Sequence, residues 1–177
     1  FELASDPQTR ERFRQEAMTA SKIDSDHVVE IVTAGVDEET GAVRVERYVS
    51  VADVGRAINP LLLEGQDEGG VVQGLGHTLL EEMLYADGHL LNGTLLVYRV
   101  PRADDTPAEL ECRFVENADG SGPFGSKGAG EGSLIPVSPA VANALARLTG
   151  LRMRDLPLTP ERVWRALRSR SLQRPDA

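Results

Sequence analysis

Residues 64–82 carry apolar side chains at helical spacing, with Val71, Val72, Leu75, Leu79 and Met83 on one side. The same run holds Gly69, Gly70, Gly74 and Gly76. An interior helical glycine costs roughly 0.8–1 kcal/mol relative to alanine, so the four together cost about 3–4 kcal/mol if all are interior. A helix written this way needs something close against it. Gln66, Gly70, Gln73 and His77 fall at i, i+4, i+7 and i+11, one stripe of the helix. Two amides flanking bare backbone suit the polar edge of a flat ligand such as a pterin, or a phosphate, because an amide offers both donors and an acceptor. The competing reading is that the glycines only admit a neighbouring helix and the glutamines face water. The spacing leaves both open.

A second glycine-rich segment, Gly120-Ser121-Gly122-Pro123-Phe124-Gly125-Ser126-Lys127-Gly128-Ala129-Gly130-Glu131-Gly132-Ser133, lies downstream. Ser126 separates Gly125 from Lys127, so it is not a Walker loop. Its third glycine falls one place early for a dinucleotide fingerprint. What remains is one carboxylate, Glu131, between Gly130 and Gly132. Glycines reach backbone angles closed to other residues, so they can turn amides toward an anion and leave a carboxylate accessible. In an apolar pocket such a carboxylate becomes a useful base. A surface loop with an incidental glutamate is the alternative.

Acidic residues outnumber basic ones by 28 to 19, for a formal charge of -9. That balance argues against binding nucleic acid, which needs clustered Lys and Arg, and against an anionic membrane surface. No apolar run approaches the roughly 18 residues of a membrane span, and no signal peptide is visible. Cys112 is the single cysteine. It implies no internal disulfide and a reducing, cytoplasmic compartment. Its alternating neighbours Leu110 and Phe114 make it a strand or core residue rather than a nucleophile. His27, His77 and His89 lack metal-ligand spacing, so no metal ligand is assigned.

The chain divides into a polar, charged arm or helix over residues 1–26, one domain over residues 27–168, and a tail over residues 169–177. Residues 27–32 and 43–49 read as a hairpin around the turn cluster at 37–41, and a second hairpin turns at Asp87-Gly88. Residues 110–115 read as another strand. Ser138-Pro139 starts a helix ended by Gly150, and Thr159-Pro160-Glu161 starts a last one to about Arg168. The expected fold class is α+β, a single domain of hairpins and helices.

These segments together resemble the molybdenum-binding subunit of the xanthine dehydrogenase, aldehyde oxidoreductase and carbon monoxide dehydrogenase family. The resemblance runs through Asp53-Val54-Gly55-Arg56-Ala57-Ile58-Asn59-Pro60, Glu64-Gly65-Gln66 and Gly69-Gly70-Val71-Val72-Gln73-Gly74-Leu75-Gly76. It continues in Tyr98-Arg99-Val100-Pro101-Arg102-Ala103, Gly125-Ser126-Lys127-Gly128-Ala129-Gly130-Glu131 and Leu156-Pro157-Leu158-Thr159-Pro160-Glu161. Order and spacing match over about residues 35–168, whereas the arm over residues 1–26 is not family-like, and residues 1–34 do not resemble the expected upstream sequence apart from the strand at Val28. The resemblance implies the second molybdenum-cofactor-binding domain of a molybdenum hydroxylase. Glu131 would then be the general base, Gln66 would hydrogen-bond the pterin, and Gly128 and Gly130 would offer backbone to the cofactor. The implied cofactor is molybdopterin, in its cytosine dinucleotide form, with molybdenum; 2Fe-2S centres and FAD are expected on partner chains. The implied reaction is hydroxylation of an aldehyde or N-heterocycle with water as the oxygen source. Half of the pocket would come from the rest of the molybdenum-binding subunit, making this chain inactive alone. A truncated, non-catalytic remnant or interaction module that keeps the fold is the alternative, and an unrelated anion-binding enzyme is a third.

Overall fold

The computed structural model describes residues 30–173. The arm expected over residues 1–26 and the first residues of the first strand lie outside them. Strand β1 (Glu30–Val36) and strand β2 (Val43–Asp53) form the expected antiparallel hairpin. Asp37 shapes its turn: Oδ1 accepts from the amides of Glu39 at 2.8 Å and Thr40 at 3.1 Å. Those amides, Thr40 first, hold the Asp37 carboxyl below its ordinary range. Gly41 closes the turn at φ 76°, and a Cβ there would meet the backbone of Pro160 and Trp164. Only glycine satisfies both the angle and the approach.

β2 continues to Asp53, four residues past the expected end, because its far half pairs in parallel with β5 (Glu109–Val115). The register runs from Arg47 opposite Glu109 to Asp53 opposite Val115. The sheet order is β1-β2-β5, with β2 central. The second hairpin, β3 (Tyr85–Ala86) with β4 (His89–Leu90), turns as expected through Asp87 at φ 48° and Gly88 at φ 78°.

Helix α1 (Pro60–Leu79) begins four residues before the expected start. Asn59 caps it, its Oδ1 accepting from Leu62 N at 3.1 Å, and Pro60 occupies the first turn, where its missing N–H costs nothing. The helix stops at Leu79, where Gly76 O accepts from both Leu80 N and Glu81 N. Met83 therefore lies beyond the helix and is exposed, not on its buried face. Helix α2 (Val137–Thr149) ends at Gly150 with φ 71°, the expected left-handed cap. Helix α3 (Pro160–Gln173) starts at the expected proline but runs past Arg168 to Gln173, through residues read as a tail.

Val45 and Tyr48 from the sheet, Val71 and Leu75 from α1, Val137, Val141 and Leu145 from α2, Leu158, and Val163 from α3 form one buried core. The α+β expectation therefore holds. Cys112 lies partly buried on β5 facing α1, where burial first and a hydrogen bond to Asp67 second push its thiol up. Asp67 is 6% exposed, and its Oδ2 and Tyr48 Oη have no hydrogen-bond partner among the described residues.

Candidate functional site

The site grows from the end of β2. Beyond β5 the chain turns back and residues 118–127 fold onto Val54 and Gly55. Ala118 N donates to Gly55 O at 2.6 Å and Lys127 N to Val54 O at 2.9 Å. Inside the loop Gly120 N donates to Gly125 O at 2.9 Å and Gly122 N to Ser126 O at 3.0 Å. Gly55 sits at φ 64°, and a Cβ on it would overlap Gly125 O. Ala118 and Phe124 also hold positive φ, at 52° and 57°. Such angles cost non-glycine residues of order 1–3 kcal/mol and are found where the surroundings enforce them.

Lys127 closes the loop electrostatically. Its Nζ lies 2.7 Å from Asp53 Oδ2 and 2.7 Å from Asp119 Oδ1. The lysine holds the Asp53 carboxyl below its ordinary range, with the Gly55 amide adding to the effect. Asp119 first, and Asp53 after it, hold the ammonium above its own range. Asp53 and Lys127 lie within the motifs quoted above, yet nothing in their spacing of 74 residues announces the pair.

From Gly130 the chain runs alongside α1 in the same direction. Gln66 Nε2 donates to Gly130 O at 2.8 Å. One turn on, Gly70 lies under Ser133, whose Oγ a Cβ at residue 70 would overlap. One further turn on, a Cβ on Gly74 would stand 2.6 Å from Val137 Cγ2. The contact stripe is thus Gln66, Gly70 and Gly74. Gln73 and His77, placed on the stripe by the sequence reading, are exposed and form no part of this contact. Gly70 and Gly74 serve close packing, while Gly65 and Gly69 face open space, where a Cβ would meet nothing within 4 Å.

The structure therefore brings together Gln66 and the Gly130–Glu131 peptide, 64 residues apart in sequence. Glu131 is exposed, as are Gly128, Gly130 and Gly132, and a Cβ on any of the three glycines would meet nothing within 4 Å. Gly128 does not touch Gln66 in the same way; it lies in the open span after Lys127. Glu131 lines neither cavity described among these residues. The more enclosed one, about 250 Å³, lies between β2, the end of α1 and residues 99–106, over Val45, Leu75, Leu79 and Leu158. Glu131 instead stands on an open face, because a single helix and a single loop supply only one wall.

The model of the molybdopterin cofactor-binding domain matches residues 10–107. The xanthine dehydrogenase molybdenum-binding subunit of Escherichia coli O157:H7 is 40% identical over 131 residues, covering 73% of this chain and 17% of that protein. The aldehyde oxidoreductase molybdenum-binding subunit PaoC of Escherichia coli K12 is 39% identical over 140 residues, covering 77% of this chain and 19% of that protein. The crystal structure of quinoline 2-oxidoreductase from Pseudomonas putida 86 superposes with a TM-score of 0.68 at 36% identity, over 76% of this chain and 18% of that one. Aldehyde oxidoreductase from Desulfovibrio gigas superposes with a TM-score of 0.70 at 34% identity, over 76% of this chain and 15% of that one. The chain spans less than a fifth of the length of these relatives. With fold and motif order in agreement, this chain belongs to the molybdenum-binding subunit family of xanthine dehydrogenases and aldehyde oxidoreductases, and it carries their molybdopterin cofactor-binding domain.

Proposed function

We propose that this chain is the C-terminal part of a molybdenum hydroxylase, holding one side of a molybdopterin dinucleotide and supplying the catalytic base, Glu131. The observation that carries the reading is the Gln66–Gly130 hydrogen bond of 2.8 Å. It joins the two segments with chemical character on one exposed face and leaves the Glu131 carboxylate pointing into no packed core.

The residues present fit the group as one wall of its site. The bare glycine backbone at 128, 130 and 132 allows a flat ligand to lie close, with no Cβ in the way. The Oε1 end of Gln66 has no hydrogen-bond partner among the described residues, so it remains an acceptor for a pterin N–H. When bound, the molybdenum–pterin group supplies two-electron oxidation with an oxygen drawn from water. This chain's part would be to take, at the Glu131 carboxylate, the proton of the hydroxyl whose oxygen is transferred to an aldehyde or N-heterocycle carbon. The cytosine dinucleotide form of the cofactor, 2Fe-2S and FAD on partner chains, and a cytoplasmic location belong to the same proposal. The relatives' descriptions as subunits support the partner chains. No helix among the described residues is long and apolar enough to cross a membrane.

Glu131→Gln in a complete, cofactor-loaded assembly tests the reading. The amide keeps size and hydrogen bonding but cannot take the proton. Molybdenum per protein should stay near wild type, and turnover per molybdenum should fall by about 10²–10⁴-fold. Near-normal turnover per molybdenum would place the base elsewhere and favour the reading of a non-catalytic module that keeps the fold.

A further inference from the structure

We propose that Gln66 is a positioning residue for Glu131: its side-chain amide, held on helix α1, pins the Gly130–Glu131 peptide and so sets where the carboxylate stands. The proposal rests on the reading of Glu131 as the base and extends it to what holds that base in place.

The span between Lys127 and Ser133 contains Gly128, Gly130 and Gly132. No side chain anchors these three positions, and a Cβ added at any of them would meet nothing. Glycine has the widest backbone freedom of any residue, so peptides flanked by glycines rotate easily unless something outside the span holds them. Both ends of the span are held. Lys127 is tied through its backbone to Val54 and through its ammonium to Asp53 and Asp119. Ser133 is buried on Gly70. Between these ends, the bond that Leu134 N donates to Glu131 O at 3.2 Å is local to the turn. The Gln66 bond comes from another element.

That element is rigid by construction. Asn59 and Pro60 fix the start of α1, and Gly70 and Gly74 lock it against the chain that follows Glu131. Gln66 projects from its second turn. The orientation of the amide follows from chemistry: Gly130 O can only accept, so the NH₂ end of Gln66 must face it and the oxygen end must face away. One side chain therefore holds the base loop with its donor and offers its acceptor outward. Loss of the donor frees the Glu131 peptide even where the cofactor stays bound.

Gln66→Met removes the donor at nearly constant length, and Gln66→Glu replaces it with an oxygen that repels Gly130 O. Gln66 is exposed, so neither change disturbs the core. Crystal structures of the loaded assembly should show residues 128–132 in several conformations, or the Glu131 carboxylate displaced, in both variants. Turnover per molybdenum should fall by about ten- to a hundredfold, the scale of an ångström's misplacement, chiefly in kcat rather than KM. In the Glu131→Gln background, Gln66→Met should change turnover per molybdenum by less than about twofold, because residues acting through one group are not additive. Wild-type loop and carboxylate positions in both variants, or losses that multiply in the double variant, would overturn the proposal. Full turnover in Glu131→Gln alone would overturn the base assignment, and with it the catalytic half of the proposal. The crystallographic position of residues 128–132 would still decide the tether.

Discussion

Lys127 and its two carboxylates, Asp53 and Asp119, show how single charges shape this site. All three are partly exposed, so the cluster contributes to loop geometry more than to global stability. Its pH dependence follows from the directions of the shifts. Asp53 is held below its ordinary range, so its contribution is present above that range and is lost as pH falls through its lowered value. Lys127 is held above its range, so its contribution persists below it and fails only as pH rises through the raised value. Lys127→Met should therefore lower the thermal midpoint at neutral pH, and the gap to wild type should narrow at acid pH, as Asp53 takes up a proton below its lowered value. A gap that stayed undiminished in thermal unfolding at that pH would mean that the lysine acts through its stem, not its charge.

Helix α1 carries two kinds of glycine, and substitution should separate them. A Cβ at Gly74 would stand 2.6 Å from Val137 Cγ2 and 2.7 Å from its Cβ, with Leu134 O at 3.0 Å. Overpacking of this kind costs about 1–3 kcal/mol, partly offset by the roughly 1 kcal/mol that alanine gains in helix propensity. Gly74→Ala should therefore give a net loss of up to about 2 kcal/mol. A Cβ at Gly69 meets nothing, so Gly69→Ala should add about 0.8–1 kcal/mol. Chemical denaturation of the two variants beside wild type measures the contrast. Shifts of the same sign would refute this division of the helix. In an assembled enzyme, the bare backbone at Gly65 and Gly69 remains available for close approach by whatever covers that face.

Across the whole molecule, large apolar side chains stand in water. Leu96 is 91% exposed, Phe124 83%, Leu95 79%, Leu61 77% and Ile135 73%. Exposed apolar patches beyond a few hundred Å² are rare on isolated soluble domains and mark surfaces that pack on something else. The relatives are more than five times as long as the stretch matched here. The chain alone should self-associate with rising concentration in light scattering despite its charge of -9. Co-expression with the remainder of the molybdenum-binding subunit should suppress that association. A monomer at all concentrations would show the exposed leucines to be harmless.

What the sequence alone determined was local and periodic. The hairpin turns at 37–41 and at Asp87-Gly88 and the left-handed cap at Gly150 follow from the residues at those positions. So does the helix start at Pro160, whereas α1 begins at Pro60, four residues before its expected start. The motif order was enough for the family. The α1 boundaries moved because the end depends on Gly76 O accepting two amides, a geometry no spacing encodes. The contact stripe departs from the expected one at two residues: positions 66, 70 and 74 touch the returning chain, while Gln73 and His77 are exposed, because side chains meet a neighbour according to its path as well as the helix period. The parallel pairing of β2 with β5, the tie between Asp53 and Lys127, and the bond from Gln66 to Gly130 were decided only by tertiary structure. Each joins residues more than 60 positions apart, and such contacts exist only when the intervening chain folds to bring them within reach.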